Sequence, residues 1–224
     1  MSYTDLIFDL YGTLVDIHTE EDDTVWEKTA LYFGYYGAHY TGAELRAAFQ
    51  SAMAAKKARA GQSYECFPDL PFEPVMAQLF RIASTEYIRL YPGVTEALKK
   101  LRQDGYRLWL LSNAQRVFTA FELNHLGLAP YFDGLYLSSD FSCRKPDIRF
   151  FSALLEEQHL KKENCLMIGN DLDTDIAGAK NAGLDTLYMH TGLTPPDQRT
   201  ANPGDPHEYE GWDWNELVNV IEAL

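Results

Sequence analysis

The chain has 224 residues, 46% hydrophobic and 23% charged, with a formal net charge of −14, a composition that fits a globular protein with one large domain or a core plus an accessory unit. The acidic excess argues against nucleic acid as a partner, because phosphate backbones demand basic patches, and no run approaches the roughly 20 apolar residues of a membrane span. Residues 1–5 lack the marks of a signal peptide, and Cys66, Cys143 and Cys165 are odd in number and without metal spacing, so reduced thiols in a cytoplasmic protein are expected.

The first expected strand covers residues 7–10, an apolar run that carries Asp9 and opens into Tyr11-Gly12-Thr13. Residues 22–88 then read as largely helical, without a strand. Thr41 and Glu44 have the spacing of a capping box, ahead of a helix-rich run over 45–60 that Gly61 closes. Pro68, Pro71 and Pro74 mark a loop, followed by another helical stretch through Arg89. From Tyr91 the rhythm changes. An amphipathic helix over 94–104 is ended by Gly105, and strands at 107–111, 134–137, 165–168 and 186–189 alternate with helices at 117–126, 147–159 and 175–182. Residues 192–212, rich in Pro, Gly and Asp, read as an exposed loop before a terminal helix near 214–224. Strands alternating with helices imply a parallel sheet. The expected architecture is therefore an α/β core of residues 1–15 and 90–224, a doubly wound parallel sheet, with an all-helical unit of residues 16–89 inserted in it.

In open α/β sheets ligands bind at the carboxyl ends of the strands, and four such ends carry candidates: Asp9 and Thr13; Ser112 and Asn113; Arg144-Lys145-Pro146; and Gly169-Asn-Asp-Leu-Asp-Thr-Asp175. A buried carboxylate such as Asp9 needs a metal, a cation or donor groups beside it. Carboxylates at the first and fourth ends suit a hard cation such as Mg²⁺. Ser112 with a lysine suits an oxyanion. The six histidines are scattered without ligand spacing, so no zinc site is expected.

This order resembles the haloacid dehalogenase superfamily. Phe8-Asp-Leu-Tyr-Gly-Thr-Leu14 is similar to its first motif, Leu111-Ser-Asn113 to its second, Lys145-Pro146 to its third and residues 169–175 to its acidic fourth. The helical insertion is similar to the family's four-helix cap. The resemblance implies that Asp9 is a nucleophile forming a covalent aspartyl intermediate. Thr13 and Ser112 would hydrogen-bond the transferring group, with Ser112, Asn113 and Lys145 binding substrate and Lys145 offsetting negative charge. Asp9, the Tyr11 carbonyl and one or both of Asp171 and Asp175 would surround Mg²⁺. Asn170 and Asp171 compete for the first acidic position of the fourth motif.

The pattern departs from the family's phosphatases at Tyr11, where they carry an aspartate that protonates the leaving group. A tyrosine with its usual pKa of ~10 matches that task poorly near neutrality, although Tyr11 is one of the groups that could supply the proton. The first motif looks closer to that of metal-independent 2-haloacid dehalogenases. Against them stand Phe151, where a tyrosine is expected, the lack of their halide-binding arginine segment over residues 33–46, and the three carboxylates Asp171, Asp173 and Asp175, which repel one another without a cation. The favoured reading is a Mg²⁺-dependent phosphatase acting on a small anionic metabolite. A 2-haloacid dehalogenase-type hydrolase and a non-catalytic metal or phosphometabolite binder are the alternatives.

Overall fold

In the computed structural model the described residues are 3–35, 39–60, 80–81, 84–198, 207–211 and 213–224. Six strands form one sheet in the order β5-β4-β1-β6-β7-β8, where β1 is Asp5–Phe8, β4 Arg107–Ser112, β5 Gly134–Leu137, β6 Cys165–Gly169, β7 Asp185–His190 and β8 Glu208–Glu210. Every pairing is parallel, with Phe8 opposite both Leu110 and Ile168. Continuous apolar strands make sense here because both faces are covered. Leu6, Phe8, Leu110 and Ile168 face one cluster, which contains Val94, Leu98 and Leu101 of α3 (Val94–Gln103) and Trp214 and Leu217 of α8 (Trp214–Ala223). Ile7, Leu111 and Met167 face the other, with Phe150, Phe151 and Leu154 of α6 (Ile148–Glu157) and Ala179 of α7 (Ala177–Ala182). The period-2 alternation of side chains thus splits each strand between two cores.

From β1 and β4 the chain runs toward the β5 edge, and from β6 toward the β8 edge. The direction reverses between β1 and β6, which places a crevice at their carboxyl ends.

Two strands depart from the sequence reading. β2 (Val15–Thr19) and β3 (Thr85–Leu90) form an antiparallel ribbon, with Val15 opposite Leu90 and an irregularity at His18/Thr19. The stretch through Arg89 is therefore not helical where it meets Leu90. Thr85-Glu-Tyr-Ile-Arg-Leu90 alternates as a strand does, and its partner lies some 70 residues away, beyond the reach of any local pattern. Asp16 and Arg89 pair across the ribbon at 2.9 Å. The second departure is β8, a strand within the segment 192–212 that reads as loop. It pairs through Tyr188–Glu208 and two further positions.

Between the ribbon strands lie α1 (Asp23–Tyr35) and α2 (Gly42–Ala60), packed through Trp26, Ala30 and Leu45 with Phe33, Phe49 and Phe80 against them. The capping box forms as expected: Glu44 N donates to Thr41 Oγ1 at 3.3 Å and Thr41 N to Glu44 Oε2 at 2.8 Å. Gly61 and Pro68, Pro71 and Pro74 lie outside the described residues, as does Cys66. Cys143 and Cys165 are buried thiols. Among the described residues no helix is long and apolar enough to cross a membrane.

Candidate active site

Asp9 follows β1 directly, and its backbone N–H donates to the Ile168 carbonyl at 3.0 Å. Its carboxylate is buried and meets a lysine that is only 1% exposed, Lys145. The Lys145 ammonium has three donors, and three acceptors surround it: Asp9 Oδ1 at 2.7 Å, Asp175 Oδ1 at 2.8 Å and the Leu111 carbonyl at 2.8 Å. Burial alone would pull the lysine pKa down, but Asp175 and Asp9 hold it above its ordinary value. Burial pushes Asp175 up to about 6 against the pull of Lys145, with the charge of Asp9 adding to the rise. Two carboxylates and one ammonium leave this pocket one negative charge in excess when all are ionised.

Ser112, the last residue of β4, is 1% exposed, and its Oγ has no hydrogen-bond partner among the described residues. Buried hydroxyls are normally satisfied, and an orphan costs about 1–3 kcal/mol. Thr13, fully buried, donates from Oγ1 toward Asp9 Oδ2 at 3.3 Å and lies 3.4 Å from Asn170 Oδ1. Asn113 is used otherwise than the sequence suggests: its side chain accepts from Lys145 N at 2.8 Å and donates to Lys145 O at 3.0 Å. It clamps the loop carrying Lys145 onto the end of β4.

Two glycines let these loops close. Gly12 has φ +86°, and a Cβ there would lie 2.5 Å from Asn170 Nδ2. A Cβ on Gly169 would lie 2.3 Å from Asp175 Oδ2. Beyond Gly169 the chain makes a π-helical turn over Leu172–Ile176, a form frequent at functional sites. Asp171 caps it, accepting from Asp173 N at 2.9 Å and Thr174 N at 3.1 Å, and also receives Gln198 Nε2 at 3.3 Å. Asp175 Oδ2 accepts from the backbone N–H groups of Asn170 and Asp171, both at 3.1 Å.

The carboxylates expected around one metal are therefore not gathered at one point. The carboxylate oxygens of Asp9, Asp171 and Asp175 do not all lie within 4.8 Å of one another, whereas one oxygen each of Glu20 and Glu86 and a ring nitrogen of His18, at the ribbon, do. The fourth-segment side chain that meets Thr13, itself bonded to Asp9, is that of Asn170, while Asp171 is spent on its own turn and Asp173 is exposed, bonded to Gln198. Gln198, 7% exposed and anchored to this turn through Leu172 N at 2.8 Å, is absent from the sequence reading, because residues 192–212 carry no motif. Thr191, which donates to the Gly12 carbonyl at 2.5 Å, is likewise unannounced.

Tyr11 turns away from Asp9. Its hydroxyl donates to Glu122 Oε2 and lies 3.1 Å from Thr119 Oγ1, both on α4 (Arg116–His125). Glu122, 8% exposed, also takes a two-pronged pair from Arg81, Nε at 2.7 Å and Nη2 at 3.3 Å. The Arg81 guanidinium lies over the rings of Tyr11 (5.0 Å) and Phe118 (4.6 Å). Burial, and then the charge of Glu122, raise the Tyr11 pKa well above its ordinary value, so this hydroxyl keeps its proton. Neither Glu122 nor Arg81 was legible as a partner of Tyr11. Against these rings and Asn113, Gln115 and Arg144 lies a cavity of about 170 Å³. Depressions of about 620 and 610 Å³ lie beside α1 and the ribbon, and none of the expected site residues lines them. Phe151 is wholly buried among core residues and against Gly178.

The family model described as haloacid dehalogenase-like hydrolase matches residues 6–183. A glyceraldehyde 3-phosphate phosphatase of Methanothermobacter thermautotrophicus is 33% identical over 111 residues, covering 50% of this chain and 49% of that protein. A pyrimidine 5'-nucleotidase of Streptococcus pneumoniae is 25% identical, with 99% of this chain and 96% of that protein covered. The chain thus spans about half of the first relative and nearly all of the second. The crystal structure of a putative hydrolase of the same superfamily from Bacillus subtilis, bound to magnesium, superposes with a TM-score of 0.62 at 23% identity over 99% of each chain, a likeness of fold.

Proposed function

We propose that this chain, which belongs to the haloacid dehalogenase-like hydrolases, is a phosphatase of small phosphorylated metabolites with Asp9 as its nucleophile. The observation that carries this reading is the buried Asp9–Lys145 pair at 2.7 Å next to a strand end whose Ser112 hydroxyl has no partner among the described residues. A phosphoryl oxygen would supply that partner. Lys145 holds Asp9 Oδ1, which leaves Oδ2, bonded among the described residues only by Thr13 at 3.3 Å, to form the bond to phosphorus while the ester oxygen departs with its electron pair. Lys145 and Ser112 meet the charge on the phosphoryl group as it transfers. Water then attacks the acyl phosphate, releasing inorganic phosphate and restoring the carboxylate.

Mg²⁺ belongs to this reading. The net negative pocket and the hard oxygen donors of Asp9, the Tyr11 carbonyl and Asn170 suit it, and when bound it supplies further neutralisation of phosphoryl charge. Asp175 stays on the far side of Lys145, and Asp171 shapes the loop. Because the Tyr11 hydroxyl keeps its proton and donates its hydrogen bond to Glu122, no acid stands at the leaving-group position of the first motif. Substrates whose leaving groups depart without a proton, such as aryl or acyl phosphates, are favoured. The relatives named as phosphatase and nucleotidase support phosphoric monoesters as the substrate class. The division into a core of 1–15 and 90–224 and an inserted unit of 16–89 forms part of the same reading, with the ribbon β2–β3 as the double connection between them.

Phosphate release from p-nitrophenyl phosphate, with Mg²⁺ or with EDTA, tests the proposal. Release that needs Mg²⁺ and disappears in Asp9→Asn is the expected result. Equal release by Asp9→Asn overturns it.

A further inference from the structure

In a chain of net charge −14, the cavity next to Tyr11 is lined by two arginines and by no acidic residue among those described. It is built by three of the strand-end segments, through Tyr11, Asn113 and Arg144, together with Arg81. Arg81 is held rigidly by Glu122 on one edge of its guanidinium and by two aromatic rings on its faces. Arg144 makes no side-chain ion pair among the described residues and is exposed, although it directly precedes Lys145, whose ammonium touches Asp9. Its guanidinium is an unspent cation one residue from the reacting centre. The room, about 170 Å³, equals roughly six water molecules at ~30 Å³ each, which suits a fragment of a few heavy atoms and not a nucleoside.

We infer that this cavity is a second-anion subsite, in which Arg144, with Arg81 as its fixed wall, receives a carboxylate carried on the leaving group of a small phosphomonoester. A carboxylate matches the planar donor fork of a guanidinium. The preference follows from charge: an ester whose leaving group lacks the carboxylate leaves Arg144 in water and gains nothing there. The inference rests on the phosphatase reading, and Arg144 acts in it as a specificity-determining residue.

The test compares 3-carboxyphenyl phosphate with phenyl phosphate, its counterpart without the carboxylate, in the wild-type chain and in Arg144→Ala and Arg144→Glu, with circular dichroism confirming that each variant is folded. The wild type is expected to favour the carboxylated ester in kcat/KM by about tenfold or more, chiefly through KM. Arg144→Ala should erase that ratio, and Arg144→Glu should invert it. A wild-type ratio near one, or a ratio unmoved in both variants, overturns the inference. If no phosphate is released from these esters or from p-nitrophenyl phosphate, the phosphatase reading fails by itself. The subsite is then decided by calorimetric binding of phosphonoacetate and ethylphosphonate: tighter phosphonoacetate binding that Arg144→Ala abolishes sustains it, and equal binding overturns it.

Discussion

Two clusters of buried charge meet the chain two residues apart after β1, and they are built to opposite ends. At Asp9, a lysine is shared between two carboxylates, and among the described residues one carboxylate oxygen is nearly free and a buried hydroxyl has no partner. At Tyr11, the acceptors of Glu122 are filled by Arg81 and the phenol, and aromatic rings cover the arginine. Burying charge is tolerated only when the geometry satisfies it. The second cluster meets that requirement from within the chain, and the first meets it only in part. The lesson is that incompleteness, and not burial or perturbed ionisation alone, separates a site poised for a ligand from one that fastens two segments together.

Asp9→Asn breaks the first cluster most severely. It should lower kcat on an aryl phosphate by on the order of 10⁴-fold or more, with the far-ultraviolet circular dichroism unchanged. Glu122→Ala attacks the second cluster. It strands a buried guanidinium and a phenol, and about 3 kcal/mol of stability should be lost, read as a lower midpoint in urea. A midpoint equal to the wild type would show that the pair holds nothing. Ser112→Ala sharpens the contrast, because it removes a hydroxyl that no described protein group uses. Stability in urea should change by less than about 0.5 kcal/mol or rise, while kcat/KM falls by about 10²-fold. The reverse pattern would make Ser112 a structural residue.

Tyr11→Phe gives the smallest effect on turnover. Loss of the hydroxyl bond to a charged group should cost about 1.5–3 kcal/mol of stability, yet kcat/KM should move less than about threefold, since a general acid would be worth about 10²–10⁴-fold. The same variant has a signature in alkali. The folded Tyr11 pKa is raised above the ordinary 10.0, so above pH 10 the unfolded chain sheds a proton that the folded chain retains. Stability contributed by the wild-type phenol is full below pH 10 and is lost as pH rises toward the folded value. Urea midpoints measured between pH 9 and 11 should therefore fall less steeply for Tyr11→Phe than for the wild type.

The order of apolar runs and turn residues by itself determined the parallel sheet, the positions of five of its six strands, the helices from α3 to α8 apart from the short α5 (Ser138–Phe141), and the identity of Asp9, Thr13, Ser112 and Lys145 as strand-end residues. Those features are local: periodicity, capping and short motifs lie within a few residues of one another. Tertiary structure decided who meets whom. It paired β2 with β3 and added β8 to the sheet edge. It also brought Asn170 rather than Asp171 to Thr13, whose hydroxyl reaches Asp9, reached Gln198 back to the acidic turn, and met Tyr11 with Glu122 and Arg81. Neighbouring carboxylates in a tight turn point in different directions, and a charged residue in mid-helix reads the same whether it faces water or a buried phenol. Which of these it does depends on contacts made across more than a hundred residues of chain, and no local pattern encodes them.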